Sequence, residues 1–405
     1  MRWSIAMKLN RGRSLTAMPG PSVIPDRVLS AMHMAMPNIY EGELVDTSMG
    51  VFEDLPSVVR TAGHAFVAIS NGHGAWEMAL TNTLSRGEKV LVLASGRFAM
   101  GWGEQAKMLG ANVEVLAAPD RAAVDPDAVE ARLRRDTTHD IKAILVVQVD
   151  TASGVWNDIA AIRRAIDAAG HPALFMVDGI ASIGCVEYLM DAWRIDVTVG
   201  GSQKGLMVPP GLGLVWANDK AMAAHARADM RSPYWDWTSR LSKSAHYLRY
   251  CGTSPIQHIF AMRTALDMIA EEGLEAIWER HSIFARAVRT AIQTWAVPEG
   301  LSFNITDPLQ RSNSTTTILT GQINGERLRR ICANDAGLTL GIGLGDFAET
   351  SFRIGHMGHL NPPMVLGVIG TVEAALKAMG APIGGSGVAE AASAIAQALA
   401  EQSAS

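Results

Sequence analysis

The sequence predicts an α/β protein built around a mostly parallel sheet, and three observations carry that expectation. Short β-rich runs alternate with stretches of helical periodicity through the first half of the chain, the pattern that builds a parallel sheet with helices on both faces. Two of these runs empty into loops that carry an acid, Asp178, and a lysine, Lys204, 26 residues apart. A third ends in Ser70-Asn71-Gly72-His73-Gly74 and passes directly into a helical stretch. In open α/β sheets the carboxyl edge of the strands is where ligands bind.

The expected strands begin with Phe66–Ile69, whose glycine turn leads into the helical AWEMALTNTL. Free N–H groups and the helix dipole converge at such a start, which suits an anion; helix capping by Asn71 accounts for the same residues. The dinucleotide pattern G-x-G-x-x-G is absent, so no nicotinamide cofactor is indicated. Lys89–Leu93 is the next strand and ends at Ser95-Gly96-Arg97-Phe98; Asn112–Leu116 follows, then Ile141–Val149, which runs into Asp150-Thr151-Ala152-Ser153-Gly154. Ile159, Ile162 and Ile166 lie at helical spacing, with Gly170 as the stop. Ala173–Val177 ends on Asp178, and Ile195–Val199 ends in Gly200-Gly201-Ser202-Gln203-Lys204.

A lone Asp or Lys in a loop is ordinarily a solvated charge. Lys204, however, is followed by Met207-Val208-Pro209-Pro210-Gly211, which is apolar and turn-forming. A lysine in such surroundings loses stabilisation of its charge, its pKa falls, and it becomes a nucleophile for carbonyls, as a Schiff base requires. A buried acid beside it suits a pyridinium nitrogen, so the pair answers the needs of pyridoxal 5'-phosphate (PLP).

The pattern V-D-x-x-x-S-x-G at 177–184, G-S-Q-K at 201–204 and P-P-G at 209–211 resembles the class V aminotransferases, fold-type I PLP enzymes, and within them the alanine–glyoxylate and serine–glyoxylate branch. The likeness runs over roughly residues 16–380. It implies a sheet of the seven-stranded type flanked by helices, with a smaller α+β C-terminal domain. It also implies that Lys204 and Asp178 are catalytic, with Gln203 beside them. By the same resemblance Gly72 and His73 hold the cofactor phosphate, Phe98 stacks on its ring and Thr151 lies near its ring oxygen. Tyr250 and Thr253, in Tyr250-Cys251-Gly252-Thr253, match a segment that reaches the phosphate of a partner subunit in a homodimer. Arg353, in an R-I-G motif, matches the residue that grips the substrate α-carboxylate. The family often carries a D-H-R-S type segment where this chain has Tyr40-Glu41-Gly42, which leaves substrate identity open.

The expected organisation is an extended arm over 1–24, a large PLP-binding domain over 25–265, a small domain over 266–380, and a linker with an Ala-rich helix or frayed tail over 381–405. Residues 37–53 read as loop, Ser254 to about Trp295 as helix broken at Gly273, Thr315–Leu319 and Ser351–Ile354 as strands, and the glycine-rich 337–349 as a hairpin connection. The net charge of −5 gives no reason to expect nucleic acid or an anionic membrane. Cys185, Cys251 and Cys332 are odd in number and far apart, which fits neither a disulfide framework nor a metal cluster and suits a reducing cytoplasm. Arg2, Lys8, Arg11 and Arg13 precede no apolar core of a secretory signal.

The resemblance implies an aminotransferase that takes an amino group from serine, alanine or aspartate and passes it to glyoxylate or pyruvate by a ping-pong mechanism. The alternatives are a PLP-dependent lyase of the same fold, or a non-catalytic relative kept for binding. A desulfurase needs a mobile nucleophilic cysteine, and neither Cys332 in its helical stretch nor Cys251 suits that role.

Overall fold

The computed structural model describes residues 9–242 and 245–404; Arg2 and Lys8 lie outside them. Its centre is a seven-stranded sheet in the spatial order 64–70, 211–217, 197–201, 174–178, 141–147, 89–94, 112–117. The last five of these are mutually parallel. Gly211–Ala217 runs antiparallel to both of its neighbours; the sequence reading has no strand there, because Pro209-Pro210-Gly211 reads as a turn and conceals the apolar run behind it.

Strand alternation sets the two faces of the sheet. Leu91, Leu93, Ile144, Val146, Phe175 and Val177 join one core. Val90, Val92, Ala143, Leu145, Leu174 and Met176 join the other, where Trp76 also packs. Because side chains alternate with a period of two, Asp178 projects to the Trp76 face at the carboxyl end of its strand. The helix Ile159–Ala168 opens with the Asp158 side chain accepting the Ala161 N–H, 2.8 Å, and is followed by Gly170 at φ 62°.

A third core belongs to a smaller, five-stranded sheet ordered 15–17, 338–342, 351–355, 315–319, 302–303. Two helices, Ile256–Glu272 and Leu274–Trp295, lead into it and break at Gly273, φ 84°. Three expectations need correction. Leu15–Ala17 of the arm is an edge strand of this smaller sheet, parallel to Leu338–Leu340. The first part of the glycine-rich stretch is itself the strand Leu338–Ile342. Residues 37–53 are not all loop: Glu43–Asp54 is a helix that buries Leu44, Ser48 and Val51. The C-terminal stretch takes the helical of its two expected forms: Gly387–Ala404 is a helix that puts Ala391 and Ile395 into the core of the smaller sheet. Among the described residues no helix is long and apolar enough to cross a membrane, and no group of three or more His, Cys, Asp or Glu is placed to hold a metal ion.

Glu373 pins that last helix. Its carboxylate is 4% exposed and accepts from Trp295 Nε1 at 3.0 Å, Lys377 Nζ at 2.6 Å, Val388 N at 3.1 Å and Ser386 Oγ at 3.4 Å. Burial alone would raise its pKa, but these donors together outweigh it and hold the group at about 2, below its ordinary 4.5. A carboxyl depressed in the folded state adds stability above its unfolded pKa and loses it as pH falls toward the folded value. The wild type should therefore lose about 2–4 kcal/mol between pH ~4.5 and ~2 that a Glu373→Gln variant does not lose. Denaturant unfolding of both proteins across that range measures the difference, and parallel curves would refute it.

Candidate active site

A cavity of about 250 Å³ opens at the carboxyl edge of the large sheet. It gathers seven of the residues singled out from sequence: Gly72, His73, Phe98, Thr151, Asp178, Gln203 and Lys204. Each comes from a strand end, the turn beyond it or the first residues of the helix that follows, so the strand register sets their spacing.

Asp178 closes its strand and is 3% exposed. Trp76 Nε1 donates to Oδ2 at 2.7 Å and the Ile180 N–H to Oδ1 at 2.7 Å. Burial raises its pKa to about 7 against those two donors; Asp150 adds to the rise and Lys204 opposes it. The Lys204 loop is fixed at several points. Ser202 Oγ donates to the Pro209 carbonyl at 2.8 Å, Val208 N–H to the Ser202 carbonyl at 3.1 Å, and Met207, left-handed at φ 58°, donates its N–H to the Lys204 carbonyl at 3.1 Å. Burial lowers the Lys204 pKa to about 8; the Arg353 cation lowers it further, while Asp178 and Cys185 pull the other way.

The N-terminal arm lies directly over the lysine. Lys204 Nζ donates to the Pro19 carbonyl. Ser22 Oγ donates to the Lys204 carbonyl at 2.7 Å and Ser22 N–H to the Gln203 carbonyl at 3.0 Å. A Cβ on Gly20 would sit 2.5 Å from Lys204 Nζ, and Gly20 has φ 88°, so both the close approach and the backbone conformation require glycine there. Just before Gly20 the arm packs on the small sheet, where a Cβ on Gly355 would meet the Met18 carbonyl oxygen at 2.3 Å.

Arg353 does not line this cavity but adjoins it. It is 7% exposed; Nε donates to the Ile342 carbonyl at 2.6 Å and Nη1 to the Thr151 carbonyl at 2.8 Å. Burial lowers its pKa to about 10, with Asp150 acting in the opposite sense. Two carbonyls thus orient the guanidinium plane while its other N–H groups stay clear of them.

At the glycine turn, Asn71 caps the helix Gly72–Thr83 by accepting from His73 N at 3.1 Å and Gly74 N at 3.4 Å. Phe98 is half-buried and stands edge-on to Trp76, ring centroids 6.4 Å apart. Thr253 is exposed. Tyr250 is a correction: it is 1% exposed and its hydroxyl is bonded to Ser48 at 2.6 Å, with Phe52 and His246 packed on its ring. It faces its own subunit's core and has no free surface to offer another. His356 is also internal, bonded to Thr316 and Asn313, and burial drives its pKa down to about 3.

Two residues escape the sequence reading. Trp76, one turn into its helix, looks like core by periodicity, yet its N–H holds Asp178. Asp150 looks like part of a turn, yet it is wholly buried.

The donor set fits PLP on this structure's own terms. The side-chain oxygen of Gln203 is buried at the cavity with no hydrogen-bond partner, an unmet demand that a polar ligand would answer. An amine of lowered pKa, an acid beside it, an aromatic wall and a helix start are all present on one cavity.

The fold and the site define a fold-type I aminotransferase architecture. The chain belongs to the aminotransferase class-V family, which it matches over residues 57–344. It is 38% identical to a serine–glyoxylate aminotransferase of Methylorubrum extorquens, over 94% of this chain and 96% of that protein. It is 37% identical to an L-aspartate–glyoxylate aminotransferase of Paracoccus denitrificans, over 92% and 94% respectively. Among solved structures, the ureidoglycine–glyoxylate aminotransferase of Bacillus subtilis superposes with a TM-score of 0.86 at 25% identity, covering 98% of this chain and 100% of that one.

The lowered amine pKa is directly measurable. In cofactor-free protein, acetylation of Lys204 followed by peptide mass mapping should show half-maximal reactivity near pH 8, the value set by burial first and Arg353 second. Arg353→Leu should move that midpoint upward, because removing a nearby like charge favours the ammonium form. A midpoint unmoved by the substitution would show that the two cations are not coupled.

Proposed function

We propose that this chain is a PLP-dependent transaminase that moves an amino group from a small α-amino acid (serine, alanine or aspartate) to glyoxylate, with pyruvate as the other candidate acceptor. The observation that carries the reading is the convergence of Lys204 and Asp178 on one cavity with Arg353 at its margin. Bound PLP supplies an aldehyde that takes up amines and a ring that accepts electrons. Lys204 holds the cofactor and then moves the proton at the substrate α-carbon; an amine with a pKa of about 8 has a usable neutral fraction near pH 7. Asp178 pairs with the cofactor's ring nitrogen, and Trp76 and the Ile180 N–H hold its carboxylate in place. Phe98 and Thr151 flank the ring, and Gly72, His73 and Gln203 receive the phosphate. Arg353 takes the α-carboxylate of donor and acceptor in turn, as a ping-pong cycle requires.

The names of the relatives support glyoxylate as acceptor, and they differ in donor. The desulfurase form of the lyase reading finds no suitable thiol in Cys185 or Cys332. Cys185 and Cys332 are buried, and burial pushes their thiols up to about 12 and about 11, where little nucleophilic thiolate exists at neutral pH. The test is a half-reaction screen: purified enzyme with serine, alanine or aspartate, read by loss of the bound-cofactor absorbance, then recovery on adding glyoxylate or pyruvate. No spectral change with any amino acid would sink the proposal.

Lys204→Ala should abolish turnover. Removing one partner of a buried charge pair commonly costs about 3–5 kcal/mol, so Arg353→Ala should lower kcat/KM for amino acids by roughly two to four orders of magnitude. Arg353→Lys should recover little, since a point charge does not reproduce a planar fork. Amines without a carboxylate should be poor substrates for the wild type and no worse for Arg353→Ala; an equal loss on both classes would make Arg353 structural.

We further infer a homodimer in which Thr253 reaches the partner's cofactor phosphate. Its exposure supports this, as do the exposed Tyr40, Met36 and Tyr247 at 73%, 69% and 39%. Mixing inactive Lys204→Ala with a weakened Thr253→Ala protein should restore activity after subunit exchange. No recovery would count against a shared site.

A further inference from the structure

Asp150 lies outside every role assigned above, yet it is wholly buried between two walls of the cavity. It ends the short strand Val149–Asp150. Its Oδ2 accepts from Phe98 N at 2.7 Å and Ala99 N at 3.3 Å, the opening N–H groups of the helix Arg97–Met108. Its Oδ1 accepts from Ala152 N at 2.9 Å and Ser153 N at 3.4 Å, in the turn that carries Thr151. One carboxylate therefore ties the backbone of Phe98 to the turn of Thr151 across 52 residues of sequence. Room for it exists only because residue 96 is glycine: a Cβ there would fall 2.5 Å from Oδ2 and 2.6 Å from Oδ1. The same turn presents the Thr151 carbonyl to Arg353.

We propose that Asp150 is a positioning residue that sets the width of the slot for the cofactor ring, by clamping the Phe98 wall to the Thr151 wall. The idea rests on the PLP reading above. Burial raises the Asp150 pKa, and the N–H donors at both oxygens oppose that rise; a helix start also favours negative charge there. Phe98 is held through its backbone, so its ring direction follows from the helix position rather than from side-chain packing alone. The phosphate cup at the helix Gly72–Thr83 makes no contact with Asp150 in this network and should be independent of it.

That independence supplies the test. Apoprotein is titrated calorimetrically with pyridoxamine 5'-phosphate, which cannot form a Schiff base with Lys204, and separately with inorganic phosphate. Asp150→Asn exchanges one acceptor oxygen for a donor and frees one wall. Gly96→Ala leaves the charge but forces the carboxylate out of its place. Both variants should bind pyridoxamine 5'-phosphate about ten- to a hundredfold more weakly and bind inorganic phosphate within about twofold of wild type. Unchanged affinity for pyridoxamine 5'-phosphate would overturn the clamp, and so would equal losses for both ligands, which would mark a general loosening. If the wild type itself fails to bind pyridoxamine 5'-phosphate, the PLP reading falls instead. Hydrogen exchange of wild-type apoprotein gives a check that needs no variant: segments containing Phe98–Ala99 and Ala152–Ser153 should open together, and independent opening would refute the proposal.

Discussion

The site depends on keeping charged groups out of water at one edge of a sheet. Lys204, Asp178, Arg353 and Asp150 are all held in surroundings where burial is the largest influence on their protonation. Desolvation moves acids and bases in opposite directions, so the amine falls to about 8 while the carboxyl rises to about 7. Two groups that would stand far apart in water come within reach of one another's proton affinity. An amine lowered toward neutral pH is what proton transfer at a substrate carbon asks of a protein.

Isolation of these groups is the joint work of both sheets and of the arm between them. The arm's Leu15–Ala17 is bound into the small sheet, its Gly20 lies on the lysine and its Ser22 holds the lysine loop. Arg353 stands on the small sheet yet donates to the Thr151 carbonyl at the edge of the large one. A segment that reads as an extended arm is therefore structural at both ends, and Gly20 carries no side chain because the lysine fills the space one would take.

How far the sequence could be read follows from the same physics. Asp178 and Lys204 were legible because strand endings are marked locally, by an apolar run that stops at a polar residue. Arg353 was legible through its motif and Thr315–Leu319 through its β-branched composition. The helix Glu43–Asp54 is not legible because Ser48 interrupts its apolar stripe; that serine sits inward, bonded to the hydroxyl of Tyr250, 202 residues away. Tyr250 was misplaced for the matching reason, since nothing local announces a partner so distant. Trp76 reads as core, and it is core, but its ring nitrogen serves Asp178. Long-range side-chain bonds of this kind leave no periodicity behind.

The two buried acids show how identical groups come to differ in purpose. A carboxylate offers roughly four lone-pair sites. In Asp150 backbone N–H groups occupy both oxygens twice over. In Asp178 one indole and one backbone N–H leave half of that capacity unused, at the wall of the cavity. Their chemistry in isolation is the same, and burial raises both. The difference is the number of donors the fold has already committed. A saturated acid fixes backbone, and an unsaturated one retains an interaction to give, so the free acceptor capacity of Asp178 points it toward a ligand while Asp150 holds the walls that the ligand would meet.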